Sequence, residues 1–223
     1  MIALFDVTIP DVEGGRPVVE GLSLKMDKGQ WHEIVGPSGV GKSALFEVVT
    51  LRRRPARGRL VVAGRNVQRL GKKGLSEVRR SLGSCSQQPV LLEERTAVEN
   101  VVLPMVVRGS MAQAVDEAEE VLGFLGVIED RDRKVCALCS QRRALVALAR
   151  ATVGGPKVVV LDGIHEGLEP GVRGLVLSWL EKVHRRGSTV IVFGRRPMNR
   201  SSRSVLWRLR DGAVERTGEV DRC

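Results

Sequence analysis

With 223 residues, a net charge of +10 and a sequence pI of about 10.2, the chain can build one sizeable core, or a core with a subdomain. Its 43% hydrophobic and 28% charged residues are an ordinary globular balance, and no apolar run approaches the ~20 residues that span a bilayer. Aromatic residues are only 3%, with no tyrosine, which argues against base-stacking platforms for nucleic acid.

The stretch Met1 to Pro10 carries an acid rather than a basic segment before an apolar one, so no signal peptide is expected and the cytoplasm is the default compartment. Residues 2–7 and 18–24 read as short strands, broken by a turn at Gly14-Gly15. Residues 31–35 form a further strand that runs into a glycine-rich loop, and residues 43–51 then read as a helix. Residues 59–63 are a strand closed by a turn at Gly64-Arg65-Asn66. Helical spacing appears at Val115, Ala118, Leu122 and Leu125, and again at Leu145, Leu148 and Ala151. It recurs at Val172, Leu175, Trp179 and Val183. The continuous apolar runs Val158–Leu161 and Val190–Phe193 suit strands buried on both faces of a parallel sheet. Strands alternating with helices make the fold class α/β.

Charge is unevenly spread. From Arg52 to Arg80 eleven Lys/Arg accompany one acid, Glu77, and Arg195 to Arg210 holds six Arg. Such a field favours an anionic surface, either membrane headgroups or nucleic acid, against the plainer reading of a solvated basic face. The four cysteines are Cys85, Cys136, Cys139 and Cys223. Cys136 and Cys139 form a C-x-x-C without a second ligand pair, so free thiols are expected rather than a zinc site.

Residues 36–43 read Gly-Pro-Ser-Gly-Val-Gly-Lys-Ser, a full phosphate-loop pattern between an apolar strand and a helix. Glycines let the backbone curl so that consecutive N–H groups face a phosphate, and the helix N-terminus adds partial positive charge. Gly36, Pro37, Ser38, Gly39, Val40, Gly41, Lys42, Ser43 and Ala44 are therefore the candidate nucleotide-binding residues. Lys42 is expected to reach the outer phosphates and Ser43 to ligate Mg²⁺. Asp162, at the end of an apolar run, is the second expected Mg²⁺ residue.

Nearly the whole chain resembles an ATP-binding cassette (ABC) nucleotide-binding domain. GLSLKMDKGQWHEIVGPSGVGKSAL resembles the family's opening, and RGRLVVAGRNV its next β segment. SEVRRSLGSCSQQPVLLEERTAVENVVLP resembles the family's Q-loop region, with Gln87 at the glutamine position. ALVALARA before GGPKVVVLD matches the helix after the signature motif, and RLRDGAVER the closing strand pair. The TAVENVVLP stretch is most similar to small lipoprotein-release and cell-division type cassettes.

The resemblance implies a P-loop NTPase (RecA-like) core with an N-terminal antiparallel β subdomain and an inserted helical subdomain. Residues 1–223 would be one domain, with 1–86 and 155–223 as core and β subdomain and 87–154 as helical subdomain and signature region. It implies ATP and Mg²⁺ as cofactors, with Gln87 sensing the γ-phosphate and joining Ser43 and Asp162 at the metal. It implies a homodimer or heterodimer that sandwiches two ATPs, coupled to a transmembrane permease subunit at the inner face of the membrane.

Several positions depart from the family pattern. The LSGGQ signature is replaced by Leu138-Cys139-Ser140-Gln141-Arg142, so both glycines that admit a close phosphate approach are gone. Arg142 or Arg143 is a candidate to supply charge instead. Gly163 stands where the family has its general-base glutamate, and Glu166 and Glu169 are the nearby acids. Glu169 occupies a D-loop position usually held by aspartate. Arg195 stands where the family has its switch histidine. Residues 8–16 contain no aromatic to stack on adenine. The expected protein therefore binds Mg-ATP and hydrolyses it slowly, as a transporter subunit or as an ATP-gated scaffold. A nucleotide kinase and a nucleic-acid-binding ATPase are the alternatives from other classes.

Overall fold

Along β2 (Val19–Met26), Val19, Leu22, Leu24 and Met26 are buried while Glu20, Ser23 and Lys25 face solvent, the alternation of a sheet with one wet face. β2 pairs antiparallel with β1 (Ile2–Ile9), which pairs antiparallel with β4 (Arg57–Val62). The short β5 (Arg65–Asn66) closes this sheet in the order β2-β1-β4-β5. The computed structural model describes residues 1–11, 14–110, 113–198, 204–210 and 212–219. Arg200, Arg203 and Cys223, and part of the segment 8–16, lie outside the described residues.

The remaining strands behave differently because they are covered on both sides. β3 (Trp31–Val35), β7 (Val158–Asp162) and β8 (Thr189–Gly194) are buried at every position. With β6 (Leu82–Cys85), β9 (Ser204–Arg210) and β10 (Ala213–Glu219) they form a second sheet, ordered β10-β9-β3-β8-β7-β6. Every pairing in it is parallel except that of β10 with β9. The twofold period of a strand sends successive side chains to opposite cores. Val158, Val160, Ile191 and Phe193 join the core shared with the first sheet and α1 (Lys42–Val49). Val159, Leu161, Val190 and Val192 join a second core beneath the helices. Those helices are α3 (Ala97–Arg108), α4 (Ala114–Phe124), α5 (Ser140–Thr152) and α6 (Pro170–Arg185). The expected α/β class, with an antiparallel sheet and helices around a parallel sheet, is therefore observed.

Two helices lie where the sequence pattern read none, α2 (Lys72–Arg80) and α3. α3 starts at a capping box, with the Glu99 amide donating to Thr96 Oγ1 (3.2 Å) and the Thr96 amide to Glu99 Oε2 (2.8 Å). Two positions at helical spacing do not face the core: Val115 is 49% and Leu175 43% exposed. Among the described residues, no helix is long and apolar enough to cross a membrane.

The contact of α5 with β6 depends on one missing side chain. A Cβ on Gly83 would lie 1.6 Å from the carbonyl oxygen of Ala151. Gly83→Ala should therefore destabilise the protein by at least about 2 kcal/mol, since overpacking here meets backbone. Urea unfolding measures it. His32 in β3 is buried, and that burial pushes its pKa from 6.5 down to about 4. The unfolded chain protonates first, so this contribution is whole above pH ~6.5 and is lost as the pH falls towards 4. The loss should reach up to about 3 kcal/mol. Unfolding curves at pH 7 and pH 4.5 should show it, and His32→Gln should flatten the difference.

Candidate functional site

β3 ends at Val35, and the chain turns through residues 36–41 directly into α1. The turn is tight because its bends carry no side chains. Gly39 and Gly41 have φ of +80° and +100°, where other L-residues are strained. A Cβ on Gly36 would lie 2.4 Å from the carbonyl oxygen of Leu209 in β9. Val40 is partly buried and packs on the core shared by the two sheets, which anchors the loop.

The loop surrounds one ammonium group. Lys42 Nζ donates to the carbonyl oxygens of Gly36 (2.8 Å) and Pro37 (2.6 Å). Burial pushes the Lys42 pKa down, opposed by the charges of Glu166 and Asp162. Asp162, at the end of β7, is only 8% exposed. Burial pushes its pKa up, opposed by a hydrogen bond with Ser43 and by the Lys42 charge.

A cleft of about 430 Å³ opens over these groups. Ser38, Gly39, Gly41, Lys42, Ser43 and Ala44 form one wall. Gln87, Asp162, Gly163, Glu166, Gly194 and Arg195 form the other, with Val18 at the edge. The strand order explains the convergence: β8 lies between β3 and β7, so Arg195 leaves the sheet between the loop and Asp162. Gly36 and Pro37 reach the site through their carbonyl groups rather than the cleft wall.

Gly163 has φ of +60°, and its amide donates to the Phe193 carbonyl oxygen at 2.9 Å. The nearest atoms to a Cβ there belong to the Gln87 side chain, at 3.5 Å, ordinary contact, but the positive φ strains other residues. Besides Asp162, the carboxylate in the cleft wall belongs to Glu166, whose side chain is 13% exposed. Glu166 accepts from both the backbone amide and the Nε of Arg195, the latter at 2.8 Å. Glu169 precedes α6 and does not line the cleft.

None of Leu138, Cys139, Ser140, Gln141 and Arg142 lines this cleft. They form the start of α5, with Leu138 buried and Cys139 at its N-cap. Arg142 and Arg143 both carry acidic partners within this chain. Arg142 is paired with the buried Asp130, and Arg143 with Glu93 (2.7 Å). Cys85 is a buried free thiol, and Cys136 and Cys139 are exposed free thiols. Val18 escaped the sequence reading because an apolar residue at a strand entrance carries no motif. Glu166 was visible only as a nearby acid, since its pairing with Arg195 spans 29 positions.

Comparisons with known proteins identify the family. The family described as "ABC transporter" matches residues 19–164. The methionine import ATP-binding protein MetN of Cupriavidus metallidurans is 32% identical over 185 residues, 82% of this chain and 54% of that protein. The chain spans about half the length of such methionine-import relatives. An uncharacterized ABC transporter ATP-binding protein of Thermotoga maritima is 31% identical, covering 88% of this chain and 85% of that one. The dimeric structure of MJ0796, a bacterial ABC transporter cassette, superposes with a TM-score of 0.90 at 26% identity over the whole of both chains. A second MJ0796 structure, a dimeric post-hydrolysis state bound to ADP and Pi, gives 0.88 at 25% identity.

The electrostatics of the cleft yield a stability prediction. A carboxyl whose pKa is raised by folding costs stability once it is ionised, and the cost fades as the pH falls through its folded value. Asp162→Asn keeps an acceptor for Ser43 and removes that cost. The variant should melt higher than the parent at pH 7.5, and the gap should close in acid. Thermal melts across pH without nucleotide check this.

Proposed function

The chain belongs to the ABC transporter family, and from that membership we propose that it is the ATP-binding subunit of an ABC-type membrane transport complex. It binds Mg-ATP, closes against a second cassette and hydrolyses slowly. The carrying observation is that the phosphate loop, Lys42, Ser43 and Asp162 converge in one cleft where Gly163 offers no carboxylate.

The residues present fit Mg-ATP. Ser38, Gly39, Gly41, Lys42 and Ser43 line the cleft, and their amides with the Lys42 ammonium would be the donors for the outer phosphates. The Ser43 hydroxyl, the Asp162 carboxylate and the Gln87 amide are hard oxygen donors on one cleft, the set that suits Mg²⁺. Mg-ATP would supply the transferable phosphoryl group and the metal charge there. Lys42, held here by the carbonyls of Gly36 and Pro37, would be the residue that binds the outer phosphates. Ser140 and Gln141 stand where the family has backbone-exposing glycines, so a homodimer closes less tightly.

Slow turnover follows from two positions. Water attack on phosphorus is assisted by a group that accepts its proton, and losing such a base costs roughly 10²–10⁴-fold. Gly163 cannot accept a proton, and Glu166 is held by two hydrogen bonds from Arg195. A guanidinium such as that of Arg195 offers only donors, so it would bind phosphate but not act as an acceptor. That same ion pair favours a second reading, an ATP-gated regulator that moves a transmembrane partner without rapid turnover. The partner permease sits in the membrane and this chain lies against its inner face.

ATP binding and turnover measured side by side test the proposal. The protein should bind Mg-ATP, and Lys42→Ala should lose that binding. Turnover should stay well below the ~1 s⁻¹ lower end of ordinary enzymes. Gly163→Glu should raise turnover at least about tenfold while lowering stability by about 1–2 kcal/mol at its positive φ. A parent rate above ~1 s⁻¹ that disappears in Lys42→Ala would overturn slow hydrolysis.

A further inference from the structure

In the cleft wall, the Glu166 carboxylate and the Arg195 guanidinium hold each other across 29 positions of sequence. Their two hydrogen bonds are of different kinds. Glu166 Oε1 accepts from the Arg195 backbone amide, and Oε2 accepts from Nε at 2.8 Å. The first ties the carboxylate to main chain. The second engages a side chain that is 60% exposed, against 13% for Glu166.

The main chain around Arg195 is fixed from several directions. The Gly194 carbonyl oxygen accepts from the Gly36 amide at 3.2 Å. The buried His165 packs so closely on Gly194 that a Cβ there would lie 2.7 Å from its Cε1. The Met198 amide donates to the buried Glu33 at 2.6 Å. A swing of residues 194–198 as a unit breaks all of these contacts. Rotation of the Arg195 side chain breaks the Nε bond and leaves them in place.

The pair stands beside the groups that face a phosphate. Burial pushes the Lys42 pKa down, and the charge of Glu166 is the largest effect opposing it. The same charge acts on Asp162, where burial is the leading cause of the upward shift. Glu166 is therefore within electrostatic reach of both residues. A carboxylate in that place repels an incoming phosphate and neutralises the Arg195 cation. Carboxylate and phosphate also compete for a guanidinium directly, because both accept its forked N–H donors.

We infer that the Glu166–Arg195 pair is an internal latch, in which Glu166 occupies the guanidinium that a ligand's terminal phosphate would take. The two residues then set how far the cleft prefers a triphosphate to a diphosphate. This rests on the reading of the cleft as an Mg-ATP site, and it specifies what selects the ligand there. Opening the latch leaves a partly buried carboxylate without its cation, which is costly. A third phosphate offsets that cost by binding Arg195. A diphosphate has no such group and leaves the latch shut.

The test is equilibrium binding by calorimetry on the full chain, with Mg-ADP and with the Mg complex of a β,γ-imido analogue of ATP, so that no turnover intervenes. Glu166→Gln keeps an acceptor for the Arg195 amide and removes the charge. It should bind the triphosphate at least about threefold tighter than the parent, with Mg-ADP affinity changed less than about twofold. Arg195→Gln, which keeps the same backbone amide, should reduce the ratio of triphosphate to diphosphate affinity at least about fivefold. Both variants should melt as single cooperative transitions. Equal tightening of both nucleotides in Glu166→Gln overturns the latch, because it reports general repulsion. Weaker triphosphate binding in Glu166→Gln, or an unchanged ratio in Arg195→Gln, overturns it too. If the parent binds the triphosphate and Glu166→Gln binds it no tighter, the latch fails and the proposed function stands. If neither nucleotide binds the parent or the variants, the reading of the cleft falls and the latch with it.

Discussion

The site depends on a register. β3, β8 and β7 run parallel, with Val35 opposite Gly194 and Asp162 opposite Phe193. Their carboxyl ends therefore leave the sheet along one edge. Gly36, Arg195 and Gly163 emerge as neighbours although they lie far apart in the chain. Burial on both faces holds this register, because a slip by one residue exchanges the two cores. Asp162 would then turn away from Ser43, and the phosphate loop would lose its facing carboxylate.

The phosphate-loop cleft carries charge that the protein itself does not neutralise well. There, Lys42 is bonded to carbonyls and Asp162 is desolvated. Unbalanced and partly buried charge costs stability, so it marks positions where binding restores the balance. The cleft is arranged for anion and cation together.

The motif-bearing strands and the loop were legible because their signals are local. The all-buried runs of β7 and β8 and the loop at 36–43 read directly from residue types. α2 was not legible: its segment KKGLSEVRR has two apolar residues, too few for a periodic stripe. α3 was obscured for the opposite reason, a nearly continuous apolar run interrupted by Pro104. Its Thr96–Glu99 capping box was a usable signal. Val115 and Leu175 kept helical spacing yet face solvent, because periodicity reports a face and packing decides what covers it.

The amino-acid order by itself determined the phosphate loop, the terminal aspartate of β7 and the family pattern with its altered positions. Those features rest on glycine torsions, main-chain amides and side chains within a few residues. Tertiary structure alone decided that Glu166 holds Arg195 and that Arg142 and Arg143 are occupied by Asp130 and Glu93. These contacts join segments 12 to 50 positions apart. Only the packing of helices on the parallel sheet brings them within reach.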